Sequence, residues 1–352
     1  MTRRKSTDEK SYAGLDVSLR ETAVCVLNEQ GSIIFEGMIA TDPDLIADCL
    51  AKRAPGLVRV GLEAGATSAW LWRGLHQRDV PAVCLDSRHA HRVLSMRKHK
   101  TDRNDARGLA ELVRMGWFRE ARVRSRDAQF VRSILLAREH LIRTRRHLEN
   151  LIRGSLKALG VMTGPTGGKT FMARVAELRN DNDWLEPILT PLMAAHRVVR
   201  DQLKVLDRTV IATARQDADV RRMMTVPGVG VISALAFKSA IDDPRRFRSS
   251  AQVGAYLSLT PKQYESGESA WVGGIGPAND PMLRSCLYEA AGSLMMRCKR
   301  WSPLKAWGVR LAKRIGWKRA SIALARKLAV TMHAIWRDGT EFVWTEAEAA
   351  RA

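Results

Sequence analysis

The 352-residue sequence predicts an α/β domain, then a long helical hairpin, then a mainly helical C-terminal domain. Three observations carry this prediction. Short apolar or alternating runs are confined to the first ~120 residues, apolar residues spaced by three, four or seven begin after Arg124, and short helical segments broken by Gly- and Pro-containing turns follow Val220. A chain of this length is expected to form two or three domains, each burying its own core.

From Tyr12, the segment YAGLDVSLRETAVCVLNEQGSIIFEGMIA holds three such runs separated by SLRE and NEQGS, which predicts a strand, a turn and two hairpin-linked strands. LVRVGLEA at 57–64 is a fourth run. The helical stretch TSAWLWRGLHQRD and the fifth run VPAVCLD then complete a strand, helix, strand order. KTDRNDARGLAELVRMG opens a further helix.

Val131, Ile134, Leu135, Leu141, Ile142, Leu148, Leu151, Ile152, Leu156 and Leu159 predict one long helix with a narrow apolar seam. Leu192, Val199 and Leu206, with Leu203 and Val210 offset by four, repeat the pattern in a second. The turn-rich GVMTGPTGGKT and DND between them imply an antiparallel hairpin, suited to dimerisation; a spacer packed on its own chain fits the same pattern. Helices are expected near 249–257, 281–298 and 318–337, with a polar loop running to about 280. The predicted divisions are a disordered basic and polar N-terminus (1–11), the α/β domain (12–123), the hairpin or coiled coil (124–217) and the C-terminal domain (218–345).

Lysine and arginine number 58 against 37 acidic residues, a net charge of +21, which points to a polyanionic partner. Nucleic acid is the first candidate and an anionic membrane surface the second. No apolar run reaches the roughly 18 residues of a membrane span, and the polar start MTRRKSTDEKS lacks a signal-peptide pattern, so a cytoplasmic protein is expected. The five cysteines are odd in number and scattered, and signal neither a disulfide framework nor a zinc site. GPTGGKT resembles a phosphate loop but has Thr163 where that pattern needs glycine, so ATP binding is not predicted.

Four acids are candidates for a metal site: Asp16 after the first run, Glu63 at the end of the fourth, and Asp102 with Asp105. A strand-end acid is commonly a solvated turn residue. The aspartate pair is the stronger signal, because residues three apart on a helix share a face with Cβ atoms about 5–6 Å apart. Acids in a first helical turn also answer the helix dipole, but here Arg97, Lys98, Lys100 and Arg103 crowd the pair and suit a phosphate backbone. In-line attack at a phosphodiester places charge on the entering and leaving oxygens, and two Mg²⁺ ions about 3.5–4 Å apart stabilise both.

MMTVPGVGVISALAF looks like a helix-hairpin-helix, in which Gly228, Gly230 and the following helix N-terminus face a phosphate; a tight turn between packed helices is the alternative. In the loop LTPKQYESGESAWVGGIGPANDP, Ser266 is the best nucleophile candidate and Ser269 its rival.

Taken in order, YAGLDVS, GLEA, KTDRNDARGLAEL, MTVPGVGVISALAF and YLSLTPKQYESG resemble the DEDD transposases of bacterial insertion elements, the insertion-sequence 110 group, relatives of the pilin-gene DNA invertases. The resemblance runs from about residue 12 to 300. It implies an RNase H-like (RuvC-like) N-terminal domain with an acidic tetrad at Asp16, Glu63, Asp102 and Asp105, and a C-terminal transposase domain with a nucleophilic serine at Ser266. It further implies Mg²⁺, two ions per site with Mn²⁺ able to substitute, and a covalent phosphoserine link to double-stranded DNA. A noncoding guide RNA, a dimeric or tetrameric assembly and a bacterial, nucleoid-associated location complete what it implies. The serine motif departs from the family's: E-S-G-E-S replaces S-S-G-G plus a basic residue, and Ile275, Gly276, Pro277, Ala278 and Asn279 stand where I-S-K-x-G is usual.

The first functional reading is therefore a metal-dependent transposase or recombinase. A hydrolytic, Holliday-junction-type nuclease using the same metals with water as nucleophile is the second, and a non-enzymatic nucleic-acid scaffold the third.

Overall fold

A computed structural model of the chain describes residues 9–54, 56–95, 101–167, 169–267, 269–277 and 279–344, and the chain divides into two compact units, residues 1–124 and 125–352.

All five expected strands form in the first unit: β1 (Ser11–Val17), β2 (Glu21–Asn28), β3 (Ile33–Ala40), β4 (Leu57–Glu63) and β5 (Ala82–Leu85). They lie in the order β3-β2-β1-β4-β5, with β2 antiparallel to β1 and β3, and β1, β4 and β5 mutually parallel. Four helices accompany them: α1 (Pro43–Arg53), α2 (Ser68–His76), α3 (Ser87–Leu94) and α4 (Asp102–Arg114). Helices α1 and α3 add to the sequence expectation. The start of α1 is written locally, since Asp42 accepts from the amides of Asp44 (2.8 Å) and Leu45 (3.1 Å) while Pro43 opens the first turn.

Strand alternation gives the sheet two apolar faces. Leu15, Val24, Val26, Val60 and Leu62 pack with α1 and α2 through Ile46, Leu50, Leu71 and Leu75. On the other face Ala23, Cys25 and Leu27 meet Ala106 and Ala110 of α4, and Tyr12 meets the cluster of Leu109, Leu112 and Val113. Burying each of those three large side chains stabilises the unit by roughly 1.5–3 kcal/mol.

Helix α4 comes closer than side chains would normally permit. A Cβ on Gly14 would stand 2.1 Å from the Ala106 carbonyl oxygen and 2.3 Å from the Ala110 amide nitrogen, and a Cβ on Gly61 would stand 2.6 Å from Val113 Cγ1. Gly14 and Gly61 are register partners on β1 and β4, so together they form a bare track for the helix.

In the second unit, α5 (Arg126–Ala158), α6 (Lys169–Asn180) and α7 (Glu186–Gln216) are followed by α8 (Ala218–Met223), α9 (Val231–Ile241) and α10 (Ala251–Tyr256). Strands β6 (Pro261–Ser266) and β7 (Ser269–Ile275) come next, then α11 (Pro281–Met296), α12 (Pro303–Ile315) and α13 (Trp317–Asp338). The expected antiparallel pair is present: Arg138 reaches Asp207 at 2.6 Å while Glu149, further along α5, meets His196, nearer the start of α7, at 3.2 Å. Its link is not all turn. Helix α6 lies within it, and Phe171, Val175 and Leu178 form a small core with Ile152, Leu156, Leu185 and Leu189.

The expected polar loop before residue 280 is instead a β-hairpin, β6–β7. Its glycines and charges hide a period-two alternation that Tyr264, Trp271 and Val272 would otherwise announce, and Gly267 takes φ 56° in the turn that such a hairpin needs. Helix α12 also adds to the expectation. The apolar α9 sits in the main core, where Phe237 and Ile241 are buried among residues of α5, α11 and α13.

Helix α13 carries a buried His333, whose Nε2 donates to the Pro244 carbonyl (2.9 Å) and whose Nδ1 accepts from Ser250 Oγ (2.9 Å) in the neutral tautomer. Burial pushes its pKa below the usual 6.5.

Two predictions follow from this packing. Gly14→Val forces α4 away from β1 and costs at least about 1–3 kcal/mol, read as a lower urea midpoint of the N-terminal unit, whereas an unchanged midpoint would refute the close approach. Because folded His333 resists protonation, its stabilising contribution is complete above the unfolded pKa near 6.5 and is lost as pH falls below it. The urea midpoint should therefore drop more between about pH 7 and 5 in the native protein than in His333→Gln.

Candidate active site

The track of Gly14 and Gly61 decides where the acids fall. Two residues on from each glycine, hence on the same face, stand Asp16 at the end of β1 and Glu63 at the end of β4. These strands are adjacent and parallel, with Leu15 paired to Leu62, so the two carboxylates are neighbours at one end of the sheet.

Helix α4 runs the opposite way. Arg114 near its C-terminus donates to the Glu29 carbonyl (3.0 Å), just beyond the residue of β2 that pairs with Ser11 at the start of β1. Its N-terminus is therefore directed towards the ends of β1 and β4, where Asp16 and Glu63 lie. Thr101 caps that end, its hydroxyl accepting from the Asn104 amide at 3.2 Å, and Asp102 and Asp105 occupy the first turn. Asp102 is exposed; Asp16, Glu63 and Asp105 are half-buried.

The fold thus directs the four predicted acids to one end of one sheet face. All are hard oxygen donors of the kind Mg²⁺ and Mn²⁺ prefer, and in this respect they fit a divalent cation. Among the described residues no group of three or more His, Cys, Asp or Glu side chains is already gathered to hold a metal ion. Asp86, another acid at a strand end, is occupied as the cap of α3, accepting from the His89 amide at 3.0 Å. Of the expected basic neighbours, Arg103 is exposed on α4, while Arg97, Lys98 and Lys100 lie outside the described residues.

The other predicted residues belong to the second unit. Gly228, at φ 86°, presses on α11, where a Cβ would stand 2.4 Å from the Ala290 carbonyl oxygen, so packing alone demands glycine there. Gly230 is exposed and begins α9 without a side-chain cap. Helix α9 is tied to the start of α8 by Lys238, whose ammonium reaches both Asp217 oxygens (2.8 and 2.7 Å) and Asp219 (3.0 Å).

Ser266 ends β6, exposed, and pairs with Ser269 across the turn. Alternation places Tyr264 and Trp271, themselves a cross-strand pair, on the same hairpin face as both serines. In the sequence this pair is signalled only by Y-x-S before Gly267 and S-x-W after it.

The first unit thus carries acids at the ends of two adjacent parallel strands and the second an exposed hairpin with two serines, and comparison with known proteins places the chain among the transposases. A family model described as transposase matches residues 13–160, and one described as the transposase IS116/IS110/IS902 family matches residues 220–306. The chain is 27% identical over 349 residues to the transposase for insertion sequence element IS1111A of Coxiella burnetii, spanning 95% of this chain and 91% of that one. It is 30% identical over 262 residues to a putative transposase, y4pF/y4sB, of Sinorhizobium fredii (72% of this chain, 67% of the relative). It is 26% identical over 251 residues to the transposase for insertion sequence element IS1328 of Yersinia enterocolitica (70% and 75%). The chain belongs to the IS110 family of DEDD transposases. Membership implies DNA binding, cleavage and rejoining, and suggests divalent metal use. Among the described residues no helix is long and apolar enough to cross a membrane.

If the acids bind a cation, Mg²⁺ or Mn²⁺ will raise the melting temperature of the wild type, and Asp16→Asn with Glu63→Gln will remove that rise. An equal rise in the double variant would place the cation elsewhere.

Proposed function

We propose that this transposase recombines double-stranded DNA through an acidic tetrad, Asp16, Glu63, Asp102 and Asp105, and a serine nucleophile, Ser266. The observation that carries the reading is the convergence of β1, β4 and the first turn of α4 on one end of the sheet, with an acid on each. The mixed five-stranded sheet with these acids at its strand ends supports an RNase H-like assignment for the first unit. The α8–turn–α9 segment supports a helix-hairpin-helix holding phosphate at Gly230. Residues 124–217 and 218–345 then serve as arm and transposase domain.

Two Mg²⁺ ions, or Mn²⁺ in their place, would offset charge on the entering and leaving oxygens when held by the tetrad. Ser266 Oγ bonds to phosphorus as the bond to the leaving deoxyribose oxygen breaks; the serine proton passes to solvent and the departing oxygen takes one up. The phosphoserine ester conserves the phosphodiester energy, so attack by a new deoxyribose hydroxyl reseals the strand and frees the serine without a nucleotide cofactor. Arg103, with Arg97, Lys98 and Lys100, holds the backbone near the acids. In keeping with the family resemblance, a noncoding RNA selects the sites and the protein works as a homo-oligomer in the bacterial cytoplasm, at the nucleoid. The exposed apolar side chains Val198 and Val205, seven apart on α7, support the oligomer.

The test is incubation with labelled element-end DNA and Mg²⁺, with and without co-purifying RNA, followed by denaturing gels. Wild type should yield a protein–DNA adduct that Ser266→Ala loses and that Asp102→Asn with Asp105→Asn reduces at least about 100-fold. Free cleaved DNA without adduct in both wild type and Ser266→Ala would instead establish the hydrolytic nuclease. Val198→Lys with Val205→Lys should shift the oligomer towards monomer in light scattering; an unchanged mass would remove α7 from the interface.

A further inference from the structure

The hairpin β6–β7 is exposed along both strands, yet it carries two large aromatic side chains on one face. Tyr264 and Trp271 are 54% and 58% exposed, with ring centroids 6.3 Å apart and planes tilted by 31°. The indole is laid down along its own strand: a Cβ on Gly273 would stand 2.2 Å from Trp271 Cζ3, so glycine is needed for the ring to lie there. The indole is thereby held over the backbone while more than half of the residue stays open to solvent. Ser266 and Ser269 form the next same-face pair, two residues along each strand and so about 7 Å away. Lys262, exposed at the register irregularity two residues before Tyr264, adds a positive charge to the hairpin.

Apolar rings are normally turned into a core, and a cleft for them is close by. The base of the hairpin, through Pro261, Val272 and Ile275, helps line a cavity of about 960 Å³ against Trp307 and Ile322. Val272 pairs with Gln263, on the face opposite the aromatic pair. Tyr264 and Trp271 are thus held on the other side, beside the reacting hydroxyl.

We propose that Tyr264 and Trp271 form a stacking platform for an unstacked base of the DNA strand that Ser266 attacks, and so position the scissile phosphate. The inference rests on Ser266 as nucleophile. A π-face accepts any base, a basic chain attracts the strand, and a base held within one nucleotide's span of the serine fixes where the phosphate lies. The pair are positioning residues with no part in bond making. Removing one stacked base of this kind weakens binding on the order of 10-fold.

The test uses the full chain and a short oligodeoxythymidylate carrying one 2-aminopurine, whose fluorescence falls on stacking, alongside the adduct assay above. Wild type, Ser266→Ala and Trp184→Ala, the last an equally exposed tryptophan elsewhere (54%), should all quench the probe. Trp271→Phe should retain the quench. Trp271→Ile keeps a strand-forming apolar residue but has no π-face, and should lose both the quench and about 10-fold in affinity, as should Tyr264→Ala in part. A quench that survives in Trp271→Ile overturns the platform and leaves the rings as hairpin packing. Stronger quenching of the matching RNA probe than of DNA, abolished by the same substitution, overturns the DNA assignment. An adduct persisting in Ser266→Ala sinks the serine reading, whatever the quench shows.

Discussion

The contact on which the candidate site depends is the close seat of α4 on the sheet, backbone against backbone at Gly14 and Val113 against backbone at Gly61. Helix α4 can lie on β1 and β4 only because Gly14 and Gly61, paired in register, present no side chain to it. Once the helix is seated, its direction and the strand alternation settle the rest. Asp16 and Glu63 follow the two glycines on the same face, and the turn that begins α4 is directed to that end of the sheet. At Gly14 the approach leaves no room to adjust, so a methyl group there displaces the helix that carries two of the four acids, while one at Gly61 presses on the Val113 and Leu85 side chains.

A similar economy governs the second unit. Gly228 fills a space against α11 that no other residue could, which fixes the turn between α8 and α9, and Lys238 ties α9 to the opposite, N-terminal end of α8 through Asp217 and Asp219. Glycine at 228 is thus explained by packing before any ligand is considered. Gly230 has no such neighbour and lies open at the start of α9, so the two glycines of one motif stand in different physical situations. The hairpin β6–β7 differs again, being held at its base and open to solvent along its length. There the functional candidates, Ser266 with the ring pair, lie on a surface element instead of in a preformed cavity.

The elements most legible in the sequence were those with a strong local period. The five strands of the first unit, the long helices α5 and α7 and the acid pair behind the Thr101 cap all announce themselves over a few residues. Helix α1 was missed although Asp42 and Pro43 are ordinary start signals and Ile46 and Leu50 stand four apart on its buried face. The β6–β7 hairpin was missed because Gly267, Gly273 and Gly274 made a strand pair resemble a loop. Nothing local distinguishes Gly14 or Gly61 from a glycine that merely weakens a strand, since their role exists only when a distant helix arrives.

By itself, the sequence determined the charge balance that suits nucleic acid, the alternation that makes the sheet, and the identity of every acid and serine named. It did so because those properties are carried by single residues or by neighbours along the chain. Tertiary structure alone decided that Asp16 and Glu63 are neighbours, that the first turn of α4 is directed to the same sheet end, and that Tyr264 and Trp271 share a face with Ser266. Those relations depend on strand register, helix direction and turn placement between segments up to dozens of residues apart, and packing energetics select them only when the whole unit closes.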